Sequence, residues 1–151
     1  SPFGIQGKYI LLDFWSQGCG PCLQSLPELE EVTEQYKNQM VVVSISQDSE
    51  KSWKEFIAKK QLKGNQWNEL LKGNTGLGAA YQVTGIPHYV MISPDGKVKQ
   101  IWSGYGKGSL KAKMKELIQI TETTHIDYNK RNRSDYCPTD IVSRNPCGSC
   151  F

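Results

Sequence analysis

Two cysteines separated by two residues, in Cys19-Gly20-Pro21-Cys22, support three kinds of chemistry. The pair can cycle between dithiol and disulfide, supply half of a zinc site, or form a fixed bridge. A zinc site needs a second ligand pair, and the remaining cysteines, Cys137, Cys147 and Cys150, lie far downstream. Placement favours the redox reading, because the pair follows an apolar run and opens a helical pattern. The N-terminus of a helix has unpaired N–H groups and a partial positive charge, and both favour a thiolate. On this reading Cys19 is exposed and attacks a substrate disulfide. Cys22, one turn further in, then attacks the mixed disulfide and releases the reduced substrate.

Asp13 interrupts the run Tyr9 to Trp15, six residues before Cys19. A carboxylate in a strand covered on both faces is costly, and burial raises its pKa toward neutrality. Such a group is suited to take the proton from Cys22 as that thiol attacks. The plain alternative is a strand-end carboxylate bonded to backbone. Gly85-Ile86-Pro87 is a third element, since a strand that begins directly at a proline suits an edge or a special turn. With a cis Ile86–Pro87 bond, its backbone would approach Cys19 and pair with a substrate strand. His88 follows, either as an imidazolium that favours the Cys19 thiolate or as a half-exposed strand residue.

The elements that must hold these residues can be read from the apolar pattern. Tyr9–Trp15 and Met40–Ser46 are continuous apolar runs of the kind expected for strands covered on both faces. Between them Leu23, Leu26, Leu29, Val32 and Tyr36 follow helical spacing, with Glu28, Glu30, Glu31 and Glu34 assigned to the opposite side and Pro27 as an internal kink. Strand, helix and strand in this order form a right-handed βαβ unit. Ser52-Trp53-Lys54-Glu55 fits a capping box. Trp53, Phe56 and Trp67 read as core, with a packed turn around Trp67, Leu70 and Leu71. A short helix follows over 76–82. His88 to Ser103, turning at Pro94-Asp95-Gly96, reads as an antiparallel hairpin. Ser109 opens a last helix with Leu110, Met114, Leu117, Ile118 and Thr121 on one face.

The chain has 151 residues, enough for one domain, and its 38% hydrophobic content suits a packed core. A net charge of +3, from 18 basic and 15 acidic residues that share helices, argues against nucleic acid as a partner. No apolar stretch is long enough to span a membrane. Residues 1–122 are expected to be the domain and 123–151 a cysteine-containing tail. In the tail, Cys147-Gly148-Ser149-Cys150 is a second CxxC without a strand–helix context. Cys137, Cys147 and Cys150 together read as a structural disulfide, as a tail with free thiols, or as a zinc site with His125 as the fourth ligand. The start at Ser1 leaves room for a removed leader, a lost membrane anchor or a cut from a longer chain.

Taken together, Leu11-Leu12-Asp13-Phe14-Trp15, Cys19-Gly20-Pro21-Cys22, Pro27 and Gly85-Ile86-Pro87 resemble the thioredoxin fold in order and local spacing over about residues 5 to 122. The resemblance implies an α/β architecture, a mixed sheet of a βαβ unit plus a C-terminal hairpin and helix. It matches Asp13 to the buried family aspartate, Pro27 to the helix-kink proline, Pro87 to the cis-proline and Trp15 to the tryptophan near the disulfide. The added stretch between Cys22 and Pro87, and the turn Ser93-Pro94-Asp95-Gly96-Lys97, resemble the TlpA/ResA-like thiol-disulfide oxidoreductases. That group implies a periplasmic or cell-envelope location, with the cytoplasm as the alternative.

The resemblance further implies a reductant of protein disulfides, served by an upstream thiol reductant, with no cofactor, no metal and a monomeric state. Trp15, Gly20, Pro21, Gly85, Ile86, Pro87 and His88 would form its substrate side. The Gly-Pro spacer implies a low potential, nearer about −270 mV than about −120 mV. Gly18 and His88 depart from the family pattern and alter the substrate-facing surface. A peroxiredoxin-like peroxidase is a second reading, weakened by Leu12 where that family needs proline. A redox-silent metal-binding module on the same fold is a third.

Overall fold

The structure is a computed structural model that describes residues 7–69 and 75–119. Internal contacts divide the chain into two units, Ser1–Leu110 and Lys111–Phe151. The first is built on a five-stranded mixed sheet. Its strands are β1 (Tyr9–Trp15), β2 (Met40–Ser46), β3 (Asn65–Asn68), β4 (His88–Ile92) and β5 (Val98–Ser103), in spatial order β3-β2-β1-β4-β5. β1 lies at the centre, parallel to β2 and antiparallel to β4. β3 extends the parallel side, and β5 closes the hairpin with β4. The apolar runs of β1 and β2 have the burial expected of central strands.

Side chains alternate across each strand, so the two faces have separate compositions. Leu12 and Phe14 of β1 join Val43, Ile45 and Val90 in an apolar cluster, with Tyr81, Val83 and Ile86 packed against it. Leu11, Asp13 and Trp15 point to the other face. Register then brings Gln66, Ser44, Asp13, Tyr89 and Trp102 into one row across all five strands of that face. Burying a large aliphatic or aromatic side chain contributes about 1.5–3 kcal/mol, so both faces reward this single register.

Helix α1 (Gly20–Gln35) runs through Pro27 and buries Cys22, Ser25, Glu28, Leu29 and Val32. Glu28 is therefore on the buried side, contrary to the expectation that it shares the solvated side with Glu30, Glu31 and Glu34. Its two carboxylate oxygens accept N–H bonds from Gly108 at 2.6 Å and Leu110 at 2.9 Å. These are donors that the start of a helix leaves unpaired. Glu69 does the same for α3 (Leu77–Ala80), accepting from Leu77 at 3.0 Å and Gly78 at 2.7 Å.

Helix α2 (Glu50–Lys60) is capped by Ser49, whose side chain accepts from the Ser52 N–H, which corrects the capping box placed at Ser52. The turn expected around Trp67 is strand β3, and Trp67 is 47% exposed, not core. Backbone pairing with β2 sets this short polar strand, and no apolar pattern announces it. Leu70 and Leu71 lie outside the described residues. So do Thr121, His125 and the whole segment 123–151. α2 and β3 fill the interval between β2 and α3, where the added stretch was expected. Helix α4 (Ser109–Met114) continues as a π-helical turn over Lys115–Gln119, with Leu110, Met114, Leu117 and Ile118 buried as their spacing predicts. Among the described residues no helix is long and apolar enough to cross a membrane.

Candidate active site

β1 delivers the chain to the active-site turn, and the turn is held from the side by β2 and α2. The Gln47 N–H donates to the Trp15 carbonyl at 2.9 Å, and the Gln17 N–H donates to Asp48 Oδ2 at 2.9 Å. The same Asp48 oxygen accepts from Ser46 Oγ at 2.9 Å, and the Gln17 side chain is hydrogen-bonded to Ser52. Trp15 lies beneath the turn, 2% exposed, with its ring 5.8 Å from that of Phe56. Neither Gln17 nor Asp48 was singled out by the sequence reading. Polar residues beyond a strand end carry no periodicity that would mark them.

Cys19 occupies the N-cap of α1, and its Sγ accepts the Cys22 N–H at 3.2 Å. It is half-buried, whereas Cys22 is 2% exposed. The two are joined as a disulfide, with Cα atoms 5.2 Å apart. The exposed partner thus sits where the backbone N–H groups and helix dipole favour a sulfur anion. Ser25 fixes the first turn by donating from Oγ to the Cys22 carbonyl at 2.7 Å.

Asp13 is 2% exposed, and burial raises its pKa to about 7. Ser44 opposes this weakly by donating to Oδ2 at 3.3 Å. Oδ1 has no hydrogen-bond partner among the described residues. Tyr89, opposite Asp13 on β4, has its hydroxyl pushed upward by burial first and by the Asp13 charge second, so it stays protonated. Ser44 was not flagged from sequence either. The available signal was a serine interrupting Val41-Val42-Val43 and Ile45 in register with Asp13.

The expected substrate side divides into two groups. Gly20, Pro21 and Gly85 are exposed, and Ile86 is half-buried and packed against the apolar cluster of the sheet. The Ile86–Pro87 bond is cis, and the Pro87 carbonyl is taken by the Gly104 N–H at 2.8 Å. Trp15, Pro87 and His88 have buried side chains, which corrects the expectation that Trp15 and His88 present theirs to substrate. His88 Nδ1 is 2.8 Å from Ser103 Oγ, and its ring meets the Phe14 ring at 6.0 Å. Burial holds its pKa below the ordinary imidazole value, only partly opposed by the Tyr81 backbone. The ring is therefore neutral at neutral pH, and neither the imidazolium reading nor the half-exposed one holds. Among the described residues no cluster of three or more His, Cys, Asp or Glu side chains can hold a metal.

The family model described as thioredoxin-like matches residues 7–98. The chain belongs to the thioredoxin-like family. Its relatives include the thioredoxin-like protein YneN of Bacillus subtilis, 30% identical over 66% of this chain and 58% of that protein. The thiol-disulfide oxidoreductase ResA of Bacillus subtilis is 26% identical over 80% of this chain and 66% of its own length. The chain thus spans less than two thirds of both relatives. A candidate thiol-disulfide oxidoreductase from Bacteroides vulgatus, known from its solution structure, is 34% identical over 77% of each chain with a TM-score of 0.61. The expected resemblance to thioredoxin-like, ResA-type proteins is borne out.

Proposed function

We propose that this thioredoxin-like protein is a thiol-disulfide oxidoreductase that reduces disulfides of other proteins. Cys19 is the attacking thiolate, Cys22 the resolving thiol and Asp13 the acceptor of the Cys22 proton. One observation carries the reading. Cys19 caps a sixteen-residue helix, remains partly accessible, and is bonded to a partner that is sealed from solvent.

In the reduced protein, the Cys19 thiolate attacks one sulfur of a substrate disulfide, breaks it, and forms a mixed disulfide while a substrate thiolate leaves. Cys22 then loses its proton to Asp13 and attacks Cys19 Sγ. The mixed disulfide breaks, the second substrate thiolate leaves, and the Cys19–Cys22 bond forms. The substrate gains two electrons and the pair loses two. An upstream thiol reductant returns the pair to the dithiol state by the reverse exchange. With its pKa near 7, Asp13 can accept a proton at one step and release it at the next.

Exposed Gly20, Pro21 and Gly85, with half-buried Ile86, are the residues assigned to meet substrate. Residues 1–122 are the catalytic domain, and the protein works as a monomer. An extracytoplasmic site of action follows the resemblance to the TlpA/ResA-like group. Disulfide reductase assays test the reading: Cys19→Ser abolishes turnover, and Cys22→Ser accumulates a mixed disulfide on Cys19. Turnover retained in Cys19→Ser overturns it.

A further inference from the structure

Asp13 has to shed, in every cycle, the proton it receives, yet most of its surroundings are closed. Along β1, Leu11 and Trp15 are buried, Tyr89 is fully buried on β4, and Cys22 on α1 is 2% exposed. The titratable group paired with it across the sheet is Tyr89 from β4, and the buried titratable side chains of α1 are Cys22 and Glu28, the last engaged by the Gly108 and Leu110 N–H groups. The hydrogen bond from Ser44 leads in a different direction. Ser44 lines a groove of about 420 Å³ between α1 and the β2–β3 side of the sheet. Exposed Glu30, Glu34, Lys37 and Lys63 line the same groove, so it opens to water away from the Cys19–Cys22 turn.

Gln66 stands beside Ser44 in register and lines this groove as well. Its amide nitrogen donates to the Lys63 carbonyl at 2.9 Å, while its Oε1 is buried with no hydrogen-bond partner among the described residues. A buried carbonyl oxygen left unpaired is costly unless a solvent molecule can reach it. Asp13, Ser44 and Gln66 thus form a polar line from the interior to the groove.

We infer that this groove is the route by which Asp13 exchanges its proton with solvent, with Ser44 as the relay and Gln66 as the group that positions water at the outlet. Ser44 accepts the proton from the Asp13 carboxyl and passes its own hydroxyl proton to water. Asp13 is left as a carboxylate, the hydroxyl is restored, and one proton reaches solvent. The disulfide takes no part in this release step, which leaves from the β2–β3 side of the sheet. The inference rests on the proposed role of Asp13 and gives Ser44 and Gln66 positioning roles.

Infrared spectroscopy of the resting oxidised protein tests it. Below about pH 6 Asp13 is protonated. Its carboxyl band, identified by its loss in Asp13→Asn, is followed after rapid mixing into D₂O. Ser44→Ala and Gln66→Leu should each slow the exchange about tenfold or more, the equivalent of losing one buried hydrogen-bonded step, and Ser44→Thr should restore it. Gln66 lies on the outer strand, so its variant carries the test if Ser44→Ala does not fold. Wild-type exchange in either variant overturns the route. No substrate is present, so failure of Asp13 as a base is a separate result, read as a wild-type rate of mixed-disulfide resolution in Asp13→Asn.

Discussion

Asp13 and Glu28 are both buried carboxylates, 2% and 7% exposed, yet they are built for different ends. Glu28 reaches from α1 to two backbone N–H groups at the start of α4, and each oxygen has a close donor. Asp13 has one hydroxyl at 3.3 Å on one oxygen and no hydrogen-bond partner on the other among the described residues. Burial alone therefore does not make a carboxylate reactive. The number of donors that compensate its charge decides whether it works as a cap or as a proton acceptor. Glu69, with two N–H donors from α3, belongs with Glu28.

The largest expected effect is the pH dependence of stability that Asp13 brings. Asp13 has a folded pKa of about 7 against an unfolded value of 3.8, so between these values the native state holds the extra proton. The contribution of Asp13 to stability is then fully present below about pH 4 and is lost as pH rises to 7, by an amount on the order of 4 kcal/mol, before levelling off. Denaturant titrations across this range should show the slope, and Asp13→Asn should remove it. The same substitution should slow mixed-disulfide resolution by about 100-fold, read by single-turnover kinetics with a disulfide substrate. Glu28→Ala should cost about 2 kcal/mol of stability by loss of two buried charge-assisted bonds, while leaving the Asp13 slope in place. Ser44→Ala, smallest of the four, should move the Asp13 midpoint up, because the hydroxyl favours the charged form. A downward shift in that carboxyl titration would reverse the assigned role of Ser44.

The two carboxylates also differed in how much the sequence revealed. Asp13 stands alone in a seven-residue apolar strand beside a CxxC turn, so both its burial and its chemistry could be read from its neighbours. Glu28 sits among Glu30, Glu31 and Glu34, and charge grouping put it on the solvated side. The better signal was spacing, three residues after Ser25 and four before Val32, which places it on the buried stripe. Central strands announced themselves through continuous apolar runs. β3 did not, because a four-residue polar edge strand owes its form to pairing with β2. Trp67 followed that error, since a large aromatic was assigned to the core while the edge position leaves it half open. His88 was ambiguous because its burial depends on Phe14 and Ser103, both remote in sequence.

The central claim is that Cys19 is held ionised by the start of α1 while Cys22 is kept in reserve behind it. The pH dependence of alkylation in the reduced protein measures this directly. Cys19 should react first and ionise well below the ordinary thiol value of about 8.5, with Cys22 unreactive until the fold is opened. A Cys19 that ionises at or above that value, or a Cys22 that is alkylated as readily, would contradict the account.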